Sequence, residues 1–235
     1  VAQSGKVGIY GGLISQRGIV NADSAVVGEN GRIFFKASKD VTLDAGSTTS
    51  ARGGTIKVLG DMESGTVRVS GTLDASAPNG GDGGFIETSA AHVKVDDSAR
   101  ITTLASYGKT GMWLIDPNNY NIAASGGDIT GTTLSSNLGG GSITILSSSG
   151  ATVGSGVINV NDTVSWGANT LTLTAARDIN INAVMTASAG AGASSLVMNT
   201  ATTNGSDSGV VGGTVNVGVN PDGSFKGRID FPGRS

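Results

Sequence analysis

The sequence predicts an all-β fold of short stacked coils, a parallel β-helix (β-solenoid). Three observations carry this expectation. Glycine is in large excess in a chain that is also rich in Val, Ile and Thr. One short alternating motif returns along its length, and the intervals between copies fall in the range of solenoid repeats.

Composition sets the class. Of 235 residues 39 are glycine, more than double the usual share of about 7%. No strict Gly-X-Y period is present, which excludes collagen. With 14% charged residues and a net charge of -3, the chain lacks the charge bias that drives disorder. Glycine is therefore expected in turns that require a positive φ. The 15 Lys and Arg are outnumbered by 18 Asp and Glu, so nucleic acid is not the expected partner. No apolar run is long enough to span a bilayer as a helix. The opening Val1-Ala2-Gln3-Ser4-Gly5 has no basic n-region and no apolar h-region, and reads as a stretch internal to a longer protein. The chain has no cysteine. That removes thiolate metal sites and thiol nucleophiles, and it suits a chain exported unfolded.

The recurring element is Gly-x-apolar-x-apolar. It stands at Gly5-Lys6-Val7-Gly8-Ile9, Gly31-Arg32-Ile33-Phe34-Phe35 and Gly54-Thr55-Ile56-Lys57-Val58. It returns at Gly65-Thr66-Val67-Arg68-Val69, Gly141-Ser142-Ile143-Thr144-Ile145 and Gly213-Thr214-Val215-Asn216-Val217. Such alternation marks a half-buried strand. A second element ends in Asp or Asn, as in Val41-Thr42-Leu43-Asp44, Thr72-Leu73-Asp74, Val93-Lys94-Val95-Asp96 and Ile179-Asn180-Ile181-Asn182. Its anchors Leu43, Leu73 and Val95 are 30 and 22 residues apart, while Gly31, Gly54 and Gly84 are 23 and 30 apart. No amphipathic helix is expected, because Leu, Glu and Lys are scarce and each helical glycine costs about 1 kcal/mol relative to Ala. About ten turns at about 4.8 Å each give an expected rod of roughly 45–50 Å. Inward Val, Ile and Leu would form ladders, with Ser, Thr and Asn stacked at the corners. An antiparallel β-sandwich is the alternative, since Asn30-Gly31, Asn79-Gly80, Asp82-Gly83, Asn204-Gly205 and Asp222-Gly223 all suit hairpin turns.

The stretch Gly111-Met112-Trp113-Leu114-Ile115-Asp116-Pro117-Asn118-Asn119-Tyr120-Asn121-Ile122 decides between them. With Ser125-Gly126-Gly127-Asp128-Ile129, it resembles a segment of filamentous-haemagglutinin-type exoproteins, large Gram-negative adhesins exported by two-partner secretion. Gly83-Gly84-Phe85-Ile86-Glu87-Thr88-Ser89 and Val160-Asn161-Asp162-Thr163-Val164-Ser165-Trp166 are also similar, and the resemblance covers roughly residues 30 to 200. It implies a right-handed parallel β-helix over 1–220, a shaft segment downstream of the secretion domain. It also implies an outer-membrane TpsB-type transporter as the partner in export. Pro221, Pro232 and Gly223-Ser224-Phe225-Lys226-Gly227 break the strand rhythm, so 221–235 is read as an exit linker.

Glycosidic catalysis needs carboxylates converging on one face. Asp96 and Asp97 are adjacent and so point apart. Asp44, Asp74 and Asp96 are read as corner residues accepting backbone N–H groups, with a calcium- or sugar-binding line as the alternative. His92, the sole histidine, reads as a solvated strand residue, and no Gly-x-Ser-x-Gly elbow accompanies it. No enzyme, catalytic residue, metal or cofactor is expected. Tyr107, Trp113 and Tyr120 cluster, and aromatic faces stack on sugar rings. Trp113 is expected in the core, with Asp116-Pro117-Asn118-Asn119 turning the chain out of its strand. Tyr107 and Tyr120 are the candidate glycan contacts. Asn161-Asp162-Thr163 and Asn204-Gly205-Ser206 match the glycosylation sequon, which makes Asn161 and Asn204 candidate modification sites.

The function expected is that of a secreted or cell-surface adhesin segment. It attaches to host-cell or biofilm-matrix glycans or receptors, as a rigid shaft or as a glycan-contacting module. The alternatives are the stalk of a contact-dependent toxin, told apart only by sequence downstream of Ser235, and a β-helix carbohydrate-active enzyme.

Overall fold

Short alternating stretches cannot bury an apolar face alone, and here each is stacked on its counterpart one turn away. A computed structural model describes residues 5–23, 30–147, 156–188, 194–200 and 213–233. Its first four turns each hold three strands. They are β1 (Lys6–Gly11), β2 (Ile14–Gln16), β3 (Ile19–Asn21); β4 (Arg32–Ala37), β5 (Val41–Leu43), β6 (Thr48–Ser50); β7 (Thr55–Leu59), β8 (Thr66–Val69), β9 (Thr72–Asp74); and β10 (Phe85–Ser89), β11 (His92–Val95), β12 (Arg100–Thr102). The fifth has β13 (Met112–Asp116), β14 (Tyr120–Ile122) and a helix, α1 (Gly131–Leu138). There follow β15 (Ser142–Ser147), β16 (Ile158–Val160), β17 (Val164–Trp166); β18 (Thr170–Ala175), β19 (Ile179–Ile181), β20 (Val184–Ala187); and β21 (Ser195–Thr200), β22 (Val215–Val217), β23 (Arg228–Asp230).

Every strand pairs in parallel with its equivalent one turn away, so the fold is a parallel β-solenoid and not an antiparallel sandwich. One antiparallel bridge, Val219 with Phe225, closes over Asp222-Gly223; of the proposed hairpin turns, this pair makes one. The first face is an unbroken eight-stranded sheet, β1-β4-β7-β10-β13-β15-β18-β21. Its eight strands are joined by seven steps, so the stack makes about seven turns, fewer than the ten expected. At about 4.8 Å per step the stack is roughly 34 Å long. β23 pairs with β20, so the third face runs on to Asp230, into the stretch read as an exit linker.

Inward positions form columns. Ile33, Ile56, Ile86, Trp113, Ile143 and Leu171 lie in register along the first face and are all buried. Trp113 takes the core position expected of it, and its Nε1 donates to Thr88 Oγ1 at 3.1 Å. A glycine column precedes these strands. The N–H of Thr55, Phe85 and Met112 donates to the carbonyls of Gly31, Gly54 and Gly84 respectively. A Cβ at Gly54, Gly84 or Gly111 would sit 2.0–2.1 Å from the carbonyl oxygen of the glycine one turn below. Only glycine permits that approach, which explains the Gly that precedes β7, β10 and β13.

The second and third faces are interrupted between the fourth and fifth turns. β11 closes the sheet β11-β8-β5-β2 and β14 opens β14-β16-β19-β22. Between them lie Asp128 and Ile129. Val95 N–H donates to Asp128 O, and Asp128 N–H donates to Asn121 O. On the third face α1 fills the gap between β12 and β17. This helix corrects the expectation of none. Thr130 caps it, accepting from Thr133 N–H, and Asp162 Oδ2 accepts from Gly131 N–H at 2.8 Å. Leu134 and Leu138, four apart, are buried, while Asn137 Oδ1 accepts from Ile101 N–H at 2.8 Å. Local propensity is poor, and the flanking turns supply what the eight residues lack.

Candidate functional site

The interruption creates a cleft. A cavity of about 350 Å³ opens between Lys94–Asp97 and the 123–130 loop, floored by Arg68. A second of about 480 Å³ continues past Thr130 along α1 to Asp162. Gly126, with φ +68°, lets the loop reverse. Two ion pairs border the first cavity, Arg68 with Asp96 at 2.6 Å and Lys94 with Asp128 at 2.7 Å. Lys94 Nζ also donates to Gly127 O at 3.1 Å, which fixes the loop.

Asp97 joins the two cavities. Thr130 Oγ1 and Thr133 Oγ1 both donate to its Oδ1. These bonds, that from Thr133 first, hold its carboxyl below the usual 3.8, so it stays ionised. Asp162 and Asp97 together supply the negative charge that the first turn of α1 does not contain. The cleft thus offers paired cations, carboxylates and hydroxyls, the donors and acceptors that bind a hydroxyl-rich ligand.

The acidic line that was the alternative to corner roles for Asp44, Asp74 and Asp96 does not form. Asp44 and Asp96 follow equivalent strands of the second face, but Ser70 stands between them in register, and Asp74 ends β9 on the third face. Each is paired. Arg17 meets Asp44 at 2.7 Å, and Arg52 meets Asp74 at 3.0 Å. Asp74 accepts a backbone N–H, from Ser76, as a corner residue should. Asp96 and Asp97 do point apart, Asp96 to Arg68 and Asp97 to α1. His92 is exposed on β11.

The two candidate glycan contacts are not brought together. Tyr107 is 84% exposed on the loop between β12 and β13. Tyr120 is fully buried on the inner side of β14, where it cannot touch a glycan in solution. Burial, then the charge of Asp128, raises its hydroxyl pKa well above 10.0. The reason is register: Tyr120 occupies the inward column continued by Ile158 and Ile179.

Asn161 belongs to an amide ladder. Its Nδ2 donates to Asn121 Oδ1 at 2.7 Å and its Oδ1 accepts from Asn182 Nδ2 at 2.8 Å. A parallel ladder runs from Asn216 through Asn180 to Asn159. Attachment of a sugar at Asn161 Nδ2 would replace one of its two amide hydrogens, leaving a single hydrogen for the bond to Asn121. Asn204 lies outside the described residues.

The sequence reading missed Arg68, Lys94 and Thr130 as members of one site. The signal available was Ser125-Gly126-Gly127-Asp128, a turn with an acidic exit inside the most distinctive block of the chain. Comparison with protein-family models, curated proteins and solved structures found no match to this chain.

Proposed function

We propose that this chain is a segment of a secreted or cell-surface bacterial adhesin, a stiff shaft whose outer faces meet host-cell or matrix glycans. The observation that carries this reading is the unbroken eight-stranded parallel sheet. It places a set of outward side chains at about 4.8 Å intervals along one axis, a geometry suited to an extended ligand. The Met112–Ile122 block supports the same reading, through its resemblance to filamentous-haemagglutinin-type exoproteins and their two-partner export. Asp74 and Asp96, on separate faces and each held by an arginine, favour binding over glycosidic catalysis.

The test is adherence. Beads coated with the chain should be retained on host-cell monolayers or on biofilm matrix above beads carrying an inert protein of equal size. Retention no better than that control on both surfaces would refute the proposal.

A further inference from the structure

The outer side of the first face, away from the cleft, segregates charge. In its first three turns the outward residues are Lys6, Gly8 and Tyr10 on β1, Arg32, Phe34 and Lys36 on β4, and Thr55, Lys57 and Leu59 on β7, all in register. Four cations thus share a patch three strands wide in a chain whose net charge is -3. Glu87, one strand further, binds Lys57 at 2.6 Å. Among the described residues Lys6, Arg32 and Lys36 have no acidic partner.

The aromatic residues are arranged in two ways. Lys6 Nζ stands 5.4 Å from the Phe34 ring centroid, and Lys57 Nζ stands 5.7 Å from that of Phe85. The rings hold the ammonium groups by their quadrupoles and fix where the charges sit. Tyr10 differs: its ring folds across Gly8, where a Cβ would lie 2.7 Å from Cε2, and it remains 67% exposed. It offers a flat apolar face beside Lys36, its register partner.

We propose that this patch binds a linear acidic polysaccharide, one bearing sulfate or carboxylate groups, laid across β1, β4 and β7. Lys6, Arg32 and Lys36 would neutralise the anionic groups, and Tyr10 would pack on a sugar ring. Single-stranded nucleic acid is disfavoured because successive bases stack on several open aromatic faces, and here Tyr10 alone offers one, the Phe34 and Phe85 rings already holding ammonium groups. The inference deepens the adhesin reading and rests on it for its biological setting, but it concerns a different surface from the cleft.

The test measures binding of the whole chain to dextran sulfate and to alginate, with unsulfated dextran, polyglutamate and a single-stranded oligonucleotide as comparisons. Dextran sulfate or alginate should bind, weakening as salt rises, and unsulfated dextran should not. The K6A/R32A/K36A variant, checked for unchanged circular dichroism, should lose about tenfold in affinity and show a shallower salt slope, because fewer counterions are released. Tyr10→Ala should weaken the two polysaccharides but not polyglutamate, and Lys94→Ala in the cleft should change nothing. No binding of either acidic polysaccharide at low salt, unchanged binding by the triple variant, or tighter binding of polyglutamate or the oligonucleotide would each overturn the proposal. Bead adherence that persists without polysaccharide binding sinks this inference alone, whereas loss of both sinks the adhesin reading as well.

Discussion

Replacing Gly84 by alanine places a Cβ 2.1 Å from Gly54 O and 2.8 Å from Gly54 N, where ordinary contact begins at 3.4 Å. The obstacle is backbone, so no rotamer relieves it, and adjacent turns must separate by more than an ångström. The same carbonyl accepts from Phe85 N–H at 2.8 Å, so the separation also weakens that bond. Overpacking of this kind costs about 1–3 kcal/mol, and a weakened hydrogen bond adds up to about 1 kcal/mol. Against this, alanine restricts the unfolded chain and returns about 0.4–1 kcal/mol. The net is a destabilisation on the order of 2 kcal/mol. Gly167 is the internal control, since its Cβ would meet nothing within 4 Å and its φ is not positive. Gly167→Ala should therefore stabilise by about 0.4–1 kcal/mol. Amide hydrogen exchange at Phe85, together with urea denaturation followed by circular dichroism, measures both. Equal stability of the two variants, or a stable Gly84→Ala with unchanged protection at Phe85, would refute the stacked-glycine argument.

Other expectations follow from the side-chain ladders and caps. Asn180→Ala removes the bonds to Asn159 and from Asn216, and should cost about 1–2 kcal/mol in urea denaturation. Thr130→Ala deletes the α1 cap and one of the bonds to Asp97, and should cost about 1 kcal/mol, with exchange protection lost first in residues 131–138. Asp61, Asp97, Asp178 and Asp222 are held below 3.8 in the fold, chiefly by side-chain bonds from Ser64, Thr133 and Ser224 and, at Asp178, by the Thr214 N–H. Their contribution is present above about pH 4 and fades as pH falls through the lowered values, so melting temperature should drop on acidification below that point. Tyr120 is shifted upward, so above pH 10 the unfolded chain ionises first and stability should fall with rising pH. Tyr120→Phe should remove that part of the alkaline loss.

The fold was legible because its constraints are local. Gly31, Gly54 and Gly84 do form one column, with Gly111 continuing it, since the steric reason for glycine repeats at every turn. Face assignment was not legible at the same level. The motif aligns Leu73 with Leu43 and Val95, yet Leu73 lies on the third face, and the true partner is Val69, which spaces the column evenly at 26 residues. Gly65 and Gly213 likewise open second-face strands although their motif is the same as that of Gly31. Three-residue strands separated by loops of variable length carry no mark of which face they belong to. The place of Tyr120 is hidden in the sequence for a related reason: alternation fixes that Tyr120 and Ile122 share a side but not which side faces inward. Helix α1 was invisible because Asp162, Asp97 and the backbone of β12 stabilise it from other turns. The cleft needed that tertiary arrangement, and so did the basic patch on the first face, whose residues come from three different repeats.

The proposed shaft is a stiff parallel stack that presents its outer faces in fixed register. With no native cysteine, Thr55→Cys and Thr170→Cys allow two spin labels to be placed specifically at outward positions of β7 and β18. These strands are four steps apart in the first sheet, so a narrow distance distribution near 19 Å is expected at about 4.8 Å per step. A broad distribution, or a distance far from that value, would contradict both the register and the shaft.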